Sequence, residues 1–326
     1  MMEDIKSGHL KPFDFKHLSD QIPELNKLDI HLSATSFEKP IDSSNMNPDI
    51  WVKLAVLIEK NYQKYDGFVI LHGSDTMAFT ASALSFMLEN LNKPVILTGS
   101  QLPIGTIRTD GKENLITAME IAAARNNRRP VVPEVCIYFE YQLYRGNRTH
   151  KFNSEHFQAF QSSNYPVLAE AGVSLKYNHS AINKLNNKKL KVYTRLDPNI
   201  AILKIFPGIT KNTVEAILTV KNLKAVVFET FGAGNAPTEK WLIESLKSAI
   251  DRGIIILNVT QCNAGAVNQG KYETSAALAK IGVIGGADIS TEAAITKLMF
   301  LLGKGSSKKT MEIMLSRSLR GEISVK

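Results

Sequence analysis

A cluster of small polar residues follows the first strongly apolar segment of the chain. His72, Gly73, Ser74 and Asp75 come directly after the run GFVIL (67–71) and directly before a long apolar pattern of helical period. Serine and aspartate are preferred helix N-caps, and a serine hydroxyl with a base beside it is also a nucleophile. One cap needs fewer polar groups than this turn contains, so both interpretations stay open.

A second polar turn lies earlier in the chain, at Asp42, Ser43 and Ser44, within PIDSSNMNP (40–48). Its side chains can cap the helix that carries Trp51. They can also hold a small ligand with charged ends, because a carboxylate pairs with an ammonium group, while hydroxyl and loop N–H groups bind a carboxylate. The two interpretations are compatible.

A third candidate is Lys151, which ends the cation-rich string YRGNRTHK (144–151). A charge run in a polar loop is usually a solvated surface, and residues 142–155 show no apolar period, so we expect a long loop there. A lysine that lies next to a serine and an aspartate is different, because it can accept a proton from the hydroxyl or from a water molecule. For Lys151, the solvated and the functional interpretations both stay open.

Motifs for nucleotide cofactors and metals are absent from the sequence. There is no GxGxxG after the first predicted strands and no GxxxxGK[ST], and GAGNAP (232–237) lacks a third glycine at the required spacing. The seven histidines show no HExxH spacing. GxSxG, the nucleophile elbow of α/β-hydrolases, is also missing. We expect neither a cofactor nor a metal.

Apolar segments of strand length alternate with helical patterns along the chain. The predicted strands are GFVIL (67–71), PVILTGS (94–100), EVCIYF (134–139), AILKIF (201–206), AVVFETF (225–231) and IIILNVT (254–260). The predicted helices are TMAFTASALSFMLEN, ENLITAMEIAAARNN, TVEAILTVK, TEKWLIESLKSAID and TEAAITKLMFLL. This alternation is typical of βαβ units with a parallel sheet, whose ligands bind at the loops that follow the carboxyl ends of the strands.

The alternation stops and restarts around an Asn- and Lys-rich stretch, which predicts two α/β domains. The first is expected at residues 1–185, a linker at 186–197 and the second at 198–326. These are ordinary domain sizes.

The composition favours a chain without a nucleic-acid or membrane partner. The net charge is +8, but the basic stretch after residue 183 is interpreted as a solvated linker. No apolar run reaches the roughly 18 residues of a membrane span, and the first residues lack the pattern of a secretory signal. Cys136 and Cys262 are both expected in the core, so a disulfide framework is not predicted and a cytoplasmic location is expected.

Six strings, in their order and spacing, resemble bacterial type I L-asparaginases. They are DSSNMNP (42–48), YDGFVILHGSDTMAFTASALSFMLENLNKPVILTGSQLP (65–103), LYRGNRTHK (143–151), GNAP (234–237), NVTQC (258–262) and GVIGGAD (282–288). The resemblance implies a doubly wound parallel-sheet N-terminal domain, a smaller α/β C-terminal domain, no cofactor, and homodimers or homotetramers. It also implies hydrolysis of L-asparagine to L-aspartate and ammonia by covalent acyl transfer.

The resemblance assigns roles to individual residues. Ser74, Asp75 and Lys151 match the family's Thr-Asp-Lys set, where serine keeps the hydroxyl but lacks the β-branch that restrains its rotamer. The residues expected to hold the substrate are Asp42, Ser43, Ser44, Gly73, Ser74, Asp75, Gly99 and Ser100. Backbone N–H groups near Gly73 and Gly99 are expected to stabilise the oxyanion.

The family's other nucleophile, a threonine in a TGGTIG motif on an N-terminal strand, has no counterpart in the sequence. Residues 1–10 resemble the segment that follows that motif in relatives. The sequence therefore either starts late or represents a product that has lost this nucleophile, and we favour a late start. With Ser74 as the positioned hydroxyl, we expect very low turnover from the sequence as it stands.

Two other functions stay open. The first is a non-catalytic sensor that binds asparagine or aspartate through Asp42, Ser43 and Asp75, which binding without ammonia release would distinguish. The second is an asparaginase-like subunit of a tRNA-dependent amidotransferase, a function that the net charge of +8 would suit. That subunit has an additional N-terminal domain, for which we find no room here.

Overall fold

The computed structural model describes residues 22–103, 106–270 and 273–324, without the side chains of residues 273 and 274. It also describes the backbone of two short paired strands, β1 (Met2–Glu3) and β2 (Leu10–Lys11). The prediction about a missing TGGTIG motif falls on residues 1–10, which otherwise lie outside the described part. Contacts divide the chain into two units, residues 1–162 with 166–193 and residues 163–165 with 194–326.

The first unit is built on a mixed six-stranded sheet. Besides β1 and β2, the strands of this unit are β3 (Phe68–Leu71), β4 (Leu88–Glu89), β5 (Val95–Thr98), β6 (Arg125–Asn126), β7 (Arg129–Pro130), β8 (Val135–Phe139), β9 (Gln142–Arg145), β10 (His150–Lys151), β11 (Phe160–Gln161), β12 (Ala169–Ala171), β13 (Leu175–Tyr177) and β14 (Lys191–Val192). The order in the sheet is β13-β12-β9-β8-β5-β3. Strands β3, β5 and β8 are parallel, whereas β9, β12 and β13 extend the sheet in antiparallel fashion.

Three helices of the first unit are α1 (Pro48–Asn61), α2 (Met77–Met87) and α3 (Gly111–Ala123). Both α2 and α3 pack against β5 and β8. Every residue of β5 and β8 is buried, as expected for parallel strands covered on both faces. The predicted α/β class, the parallel strands and both helices around them are therefore confirmed.

The expected long polar loop over 142–155 is wrong. This segment contains strand β9, a 3-10 turn at Gly146–Arg148 and strand β10. Arg145 is only 4% exposed, because its Nε donates to Glu134 Oε2 at 2.7 Å and its Nη2 donates to Asn183 Oδ1 at 2.9 Å. Because buried partners accept hydrogen bonds from its guanidinium group, Arg145 is buried within a strand although the sequence suggests a solvated charge.

The second unit contains a fully parallel sheet in the order β15-β16-β17-β18. Its strands are β15 (Ile200–Lys204), β16 (Ala225–Thr230), β17 (Ile255–Thr260) and β18 (Ile284–Gly285). Its helices are α4 (Lys211–Leu218), α5 (Lys240–Asp251), α6 (Glu273–Lys280), α7 (Thr291–Gly303) and α8 (Lys308–Leu315). The three predicted strands and three predicted helices of this half are confirmed, whereas α6 and α8 were not predicted.

A buried ion pair fixes the end of the second unit. Lys297 Nζ lies 2.7 Å from Glu322 Oε1, and both side chains are fully buried. The amine also donates to the carbonyls of Leu315 and Arg317, at 3.2 and 2.6 Å. Its three protons therefore all have acceptors, which is the condition under which a buried charge is tolerated.

Surface and cysteine predictions have different outcomes. Among the described residues, the basic side chains of the Asn- and Lys-rich stretch are all exposed, as a solvated segment requires: Lys184, Lys188, Lys189, Lys191 and Arg195. Cys136 is buried as predicted, but Cys262 is exposed because it lies past the end of β17. No helix within the described ranges is long and apolar enough to cross a bilayer.

Candidate functional site

Ser74 and Asp75 lie on a short 3-10 turn, Ser74–Thr76, that joins β3 to α2. The capping interpretation of this pair is wrong. No side-chain cap hydrogen bond is found at the start of the 3-10 turn, where Gly73 is the N-cap, or at the start of α2, where Thr76 is the N-cap. The Ser74 hydroxyl instead donates to Gln101 Oε1 at 2.9 Å. Its oxygen is therefore directed away from the helix and toward the loop that follows β5.

Lys151, on β10, joins this turn. Its Nζ donates to Ser74 Oγ at 2.8 Å and to Asp75 Oδ1 at 2.7 Å. The Lys151 side chain is 17% exposed and that of Asp75 is 64% exposed. The lysine amine thus lies mostly inside the protein, while the carboxylate that neutralises it faces solvent and can receive a ligand. The structure brings together the three residues that the family resemblance assigns to one set.

The Asp42–Ser44 turn lies against the same loop. Asp42 Oδ1 accepts hydrogen bonds from the N–H and the hydroxyl of Ser44, at 2.9 and 2.8 Å, and these bonds lower the pKa of Asp42 below its ordinary value. Asp42 therefore caps the 3-10 turn Ser43–Asn45. The helix that carries Trp51 is capped by Asn47, within the predicted cluster. The polar cluster therefore caps this helix through Asn47 and not through Asp42, Ser43 or Ser44, and the Asp42 carboxylate stays exposed.

Contact between the two turns is close. Thr76 Oγ1 donates to the Ser43 carbonyl at 2.6 Å. A Cβ atom placed on Gly73 would lie 2.5 Å from Ser43 Oγ and 2.8 Å from Ser43 Cβ. Only a glycine fits at position 73 without displacing the neighbouring turn. The side chain of Ser43 is buried here, so in this structure its hydroxyl faces Gly73 while Asp42 and Ser44 face solvent.

The loop after β5 supplies the opposite wall. A Cβ on Gly99 would overlap the carbonyl oxygen of His72, so a glycine lets this loop approach the turn that holds Ser74. The Gly99 carbonyl accepts from Asn114 Nδ2 at 3.0 Å. Ser100 is partly exposed beside it. The sequence singled out Gly99 and Ser100 but missed Gln101, whose only signal was its position directly after them.

A hydrogen-bonded chain runs behind the turn. Trp51 Nε1 donates to Thr80 Oγ1 at 3.0 Å, Thr80 Oγ1 contacts His72 Nε2 at 2.9 Å, and His72 Nδ1 contacts the Gly73 carbonyl at 2.6 Å. Because a carbonyl only accepts, the His72 proton lies on Nδ1, and the Thr80 hydroxyl donates to Nε2. Burial lowers the pKa of His72 below its ordinary 6.5, which favours this neutral ring.

The arrangement is suited to acyl transfer by a hydroxyl. A serine oxygen contacts an amine that can exchange a proton with it, and a carboxylate holds that amine in place. The carboxylates of Asp42 and Asp75 are both exposed. Across the described residues, no group of three or more His, Cys, Asp or Glu side chains is placed to hold a metal ion.

Comparison with known proteins identifies relatives of the whole chain. A family model described as "Asparaginase, N-terminal" matches residues 1–183, and one described as "Glutaminase/Asparaginase C-terminal domain" matches residues 199–315. L-asparaginase 1 of Escherichia coli (strain K12) is 44% identical over 92% of this chain and 86% of its own length. The 60 kDa lysophospholipase of Mus musculus is 44% identical over 99% of this chain but 56% of its own length.

A solved structure extends this similarity to the fold. L-asparaginase I from Vibrio cholerae O1 biovar eltor str. N16961 superposes with a TM-score of 0.90 at 40% sequence identity. The match covers 99% of this chain and 96% of that chain.

Proposed function

The chain belongs to the asparaginase family, and on this premise we propose that it is an amidohydrolase that converts L-asparagine to L-aspartate and ammonia. The observation that carries the proposal is one amine in contact with both a hydroxyl and a carboxylate. Lys151 Nζ lies 2.8 Å from Ser74 Oγ and 2.7 Å from Asp75 Oδ1. A hydroxyl, a base and a group that orients the base are therefore within hydrogen-bond reach of one another.

The proposed reaction is acyl transfer in two steps. A hydroxyl attacks the side-chain amide carbon, the C–N bond breaks to release ammonia, and water then hydrolyses the β-aspartyl ester. We assign proton transfer at this site to Ser74 and Lys151. The neutral lysine amine accepts the hydroxyl proton during attack and returns a proton to the departing nitrogen. Asp75 holds the amine in position throughout.

The turns around this pair form the proposed substrate site. The exposed carboxylates of Asp42 and Asp75 suit the substrate's α-ammonium group, and the hydroxyl of Ser44 suits its α-carboxylate once its proton turns away from Asp42 Oδ1. The side-chain amide would then extend toward Gly99 and Ser100. Backbone N–H groups at Gly73 and Gly99 would stabilise the oxyanion, each such donor typically contributing about 2.7 to 4 kcal/mol.

The test is ammonia release from L-asparagine by the full chain and by variants of the Ser74–Lys151 pair. Ser74→Ala and Lys151→Met should each lower kcat at least about 100-fold, in the range found for general acid–base groups. The double variant should be no worse than the weaker single variant, because residues that act as one unit are not additive. Lys188→Met, which removes an exposed lysine, should retain full activity.

Two results would contradict the proposal. If the wild-type chain is active and Lys151→Met has the same kcat, the lysine has no role in proton transfer. A full-length gene product that binds L-asparagine in calorimetry but releases no ammonia would instead support the non-catalytic amide sensor.

A cytoplasmic homodimer or homotetramer completes the proposal. Family membership supports the assembly, and two cysteines that form no disulfide are consistent with a reducing compartment. Light scattering should give about two or four times the chain mass of 36.1 kDa, and a mass equal to one chain would contradict it.

A further inference from the structure

Gln101 connects three parts of the site. Its side-chain oxygen accepts from the Ser74 hydroxyl at 2.9 Å. Its side-chain nitrogen donates to the carbonyls of Ser154 and His156, each at 3.1 Å. Its backbone N–H donates to the buried carboxylate of Asp110 at 3.0 Å. One residue therefore links the loop after β5, the Ser74 turn and the 152–159 loop between β10 and β11.

The partners of Gln101 fix the direction of each hydrogen bond. Backbone carbonyls only accept, so the amide NH₂ group must face Ser154 and His156, and the amide oxygen must face Ser74. An amide oxygen also only accepts, so the Ser74 proton points at Gln101. The Ser74 oxygen is then the acceptor for Lys151 Nζ, at 2.8 Å. In the resting site the hydroxyl proton thus faces away from the lysine that the proposed reaction requires as its acceptor.

Further hydrogen bonds order the backbone that carries Gln101 and the backbone that its side-chain nitrogen binds. Asp110, 9% exposed, accepts from the N–H groups of Gln101 and Leu102 and so orders the loop after β5. On the other side, Asn153 Oδ1 accepts from the N–H groups of Glu155 and His156, at 2.8 and 2.9 Å. This turn leaves the carbonyls that Gln101 binds facing the site.

We propose that Gln101 is a positioning residue that holds the Ser74 proton away from Lys151 until the reaction begins and fastens the 152–159 loop over the site. This role rests on the proposed function. Before attack, the Ser74 hydroxyl turns from Gln101 Oε1 to the neutral Lys151 amine, and no covalent bond is made or broken in that rotation. The Gln101 contact therefore favours the state with a charged lysine and a neutral serine.

Several ionisable groups surround the Ser74 hydroxyl and enter its pH dependence. They are Lys151 and Asp75 in direct contact with each other, Asp110 behind the Gln101 backbone, and Glu155 and His156 in the facing loop. Replacing Gln101 by methionine changes none of these charges, so a movement of the pH profile reports the hydrogen bonds lost with the side-chain amide.

The test compares Gln101→Met with Gln158→Leu, which alters an exposed glutamine of the same loop. In Gln101→Met, kcat for ammonia release should rise about fivefold, because the neutral hydrogen bond that is lost stabilises the resting site and is broken before attack, while KM changes less than about twofold. The acid limb of the kcat profile should move about 0.7 unit toward lower pH. Gln158→Leu should leave kcat, KM and the profile unchanged.

Hydrogen exchange of the 152–159 amides gives a readout that does not depend on activity. Exchange should accelerate in Gln101→Met and stay at the wild-type rate in Gln158→Leu. A loss of kcat that is the same at every pH, with an unmoved acid limb, would overturn the role of Gln101. Unchanged hydrogen exchange of the 152–159 loop would overturn it as well. Lys151→Met is measured in parallel, because full activity of that variant would reject the proposed function itself and would be recognised separately.

Discussion

Replacing Gly73 by alanine tests how tightly the Asp42–Ser44 turn packs against the turn that carries Ser74. The new Cβ would lie 2.8 Å from Ser43 Cβ, whereas carbon atoms in contact are typically about 3.5 to 4.0 Å apart. Rotation of the Ser43 side chain moves its hydroxyl but leaves its Cβ in place. The two turns must therefore separate by about 1 Å.

The expected magnitude has two parts. Overpacking of this kind typically costs about 1 to 3 kcal/mol. Alanine also restricts the unfolded chain, which stabilises by about 0.4 to 1 kcal/mol where the backbone suits it, and Gly73 has an ordinary φ of −66° and ψ of 145°. Gly172→Ala is the matched control, because its nearest neighbour would be the Ser174 carbonyl at 4.0 Å. The difference between the two variants should equal the overpacking alone.

Tryptophan emission reports the first unit during urea unfolding. The chain has two tryptophans, so a Trp241→Phe background leaves buried Trp51 of α1 as the probe. With a slope of about 2 kcal/mol per molar urea, Gly73→Ala should unfold about 0.5 to 1.5 M earlier than Gly172→Ala. Because displacement by about 1 Å can lower activity about 100-fold, Gly73→Ala should also lose most of its kcat/KM.

Equal midpoints for the two alanine variants, together with similar kcat/KM values, would refute the reasoning. That result would mean that the two turns are loose enough to admit a methyl group, and that their contact does not position Ser74.

Three further predictions concern other buried groups. Lys297→Met should destabilise the second unit by about 3 to 5 kcal/mol, measured from the emission of Trp241 during urea unfolding. Adding Glu322→Leu should recover most of the lost stability, because no unpaired charge remains. Burial lowers the pKa of His72 below 6.5. As the pH drops below about 6.5, the unfolded chain therefore binds more protons at His72 than the folded chain does. The free energy of unfolding should decrease over this range until the pH is below the folded pKa. His72→Asn should lack this part of the pH dependence in urea midpoints measured from pH 7.5 to 5. Burial raises the pKa of the Cys136 thiol, so a thiol reagent should modify Cys262 alone in the native chain and both cysteines in denaturant.

The sequence by itself determined the elements that carry the site. Continuous apolar runs predicted β3, β5 and β8 in the first unit and β15, β16 and β17 in the second. Of these, β5, β8 and β16 are buried at every position, as strands covered on both faces are. Polar residues immediately after such runs marked Ser74 and Gly99 as candidates, since the loops at the carboxyl ends of parallel strands meet at one edge. The family resemblance then connected Lys151 to them.

Other features could not be read from local patterns. Strands β12 and β13 are short and half-buried, so they lack the continuous apolar run by which a strand is recognised. Arg145 looks solvated in a cation-rich string, yet it is buried because Glu134 and Asn183 supply its acceptors. Cys262 follows an apolar run but lies past the strand end, where the chain is exposed.

Only the tertiary structure decided what the site groups bind. Ser74 and Lys151 are 77 positions apart, and Ser74 and Gln101 are 27 apart. Local sequence sets backbone propensity and burial over a few residues, whereas a hydrogen bond requires two atoms about 3 Å apart. That distance depends on how β3, β5 and β10 are arranged in space. The residue types therefore established which chemistry was available, and the packing of the strands and loops established which atoms can carry it out.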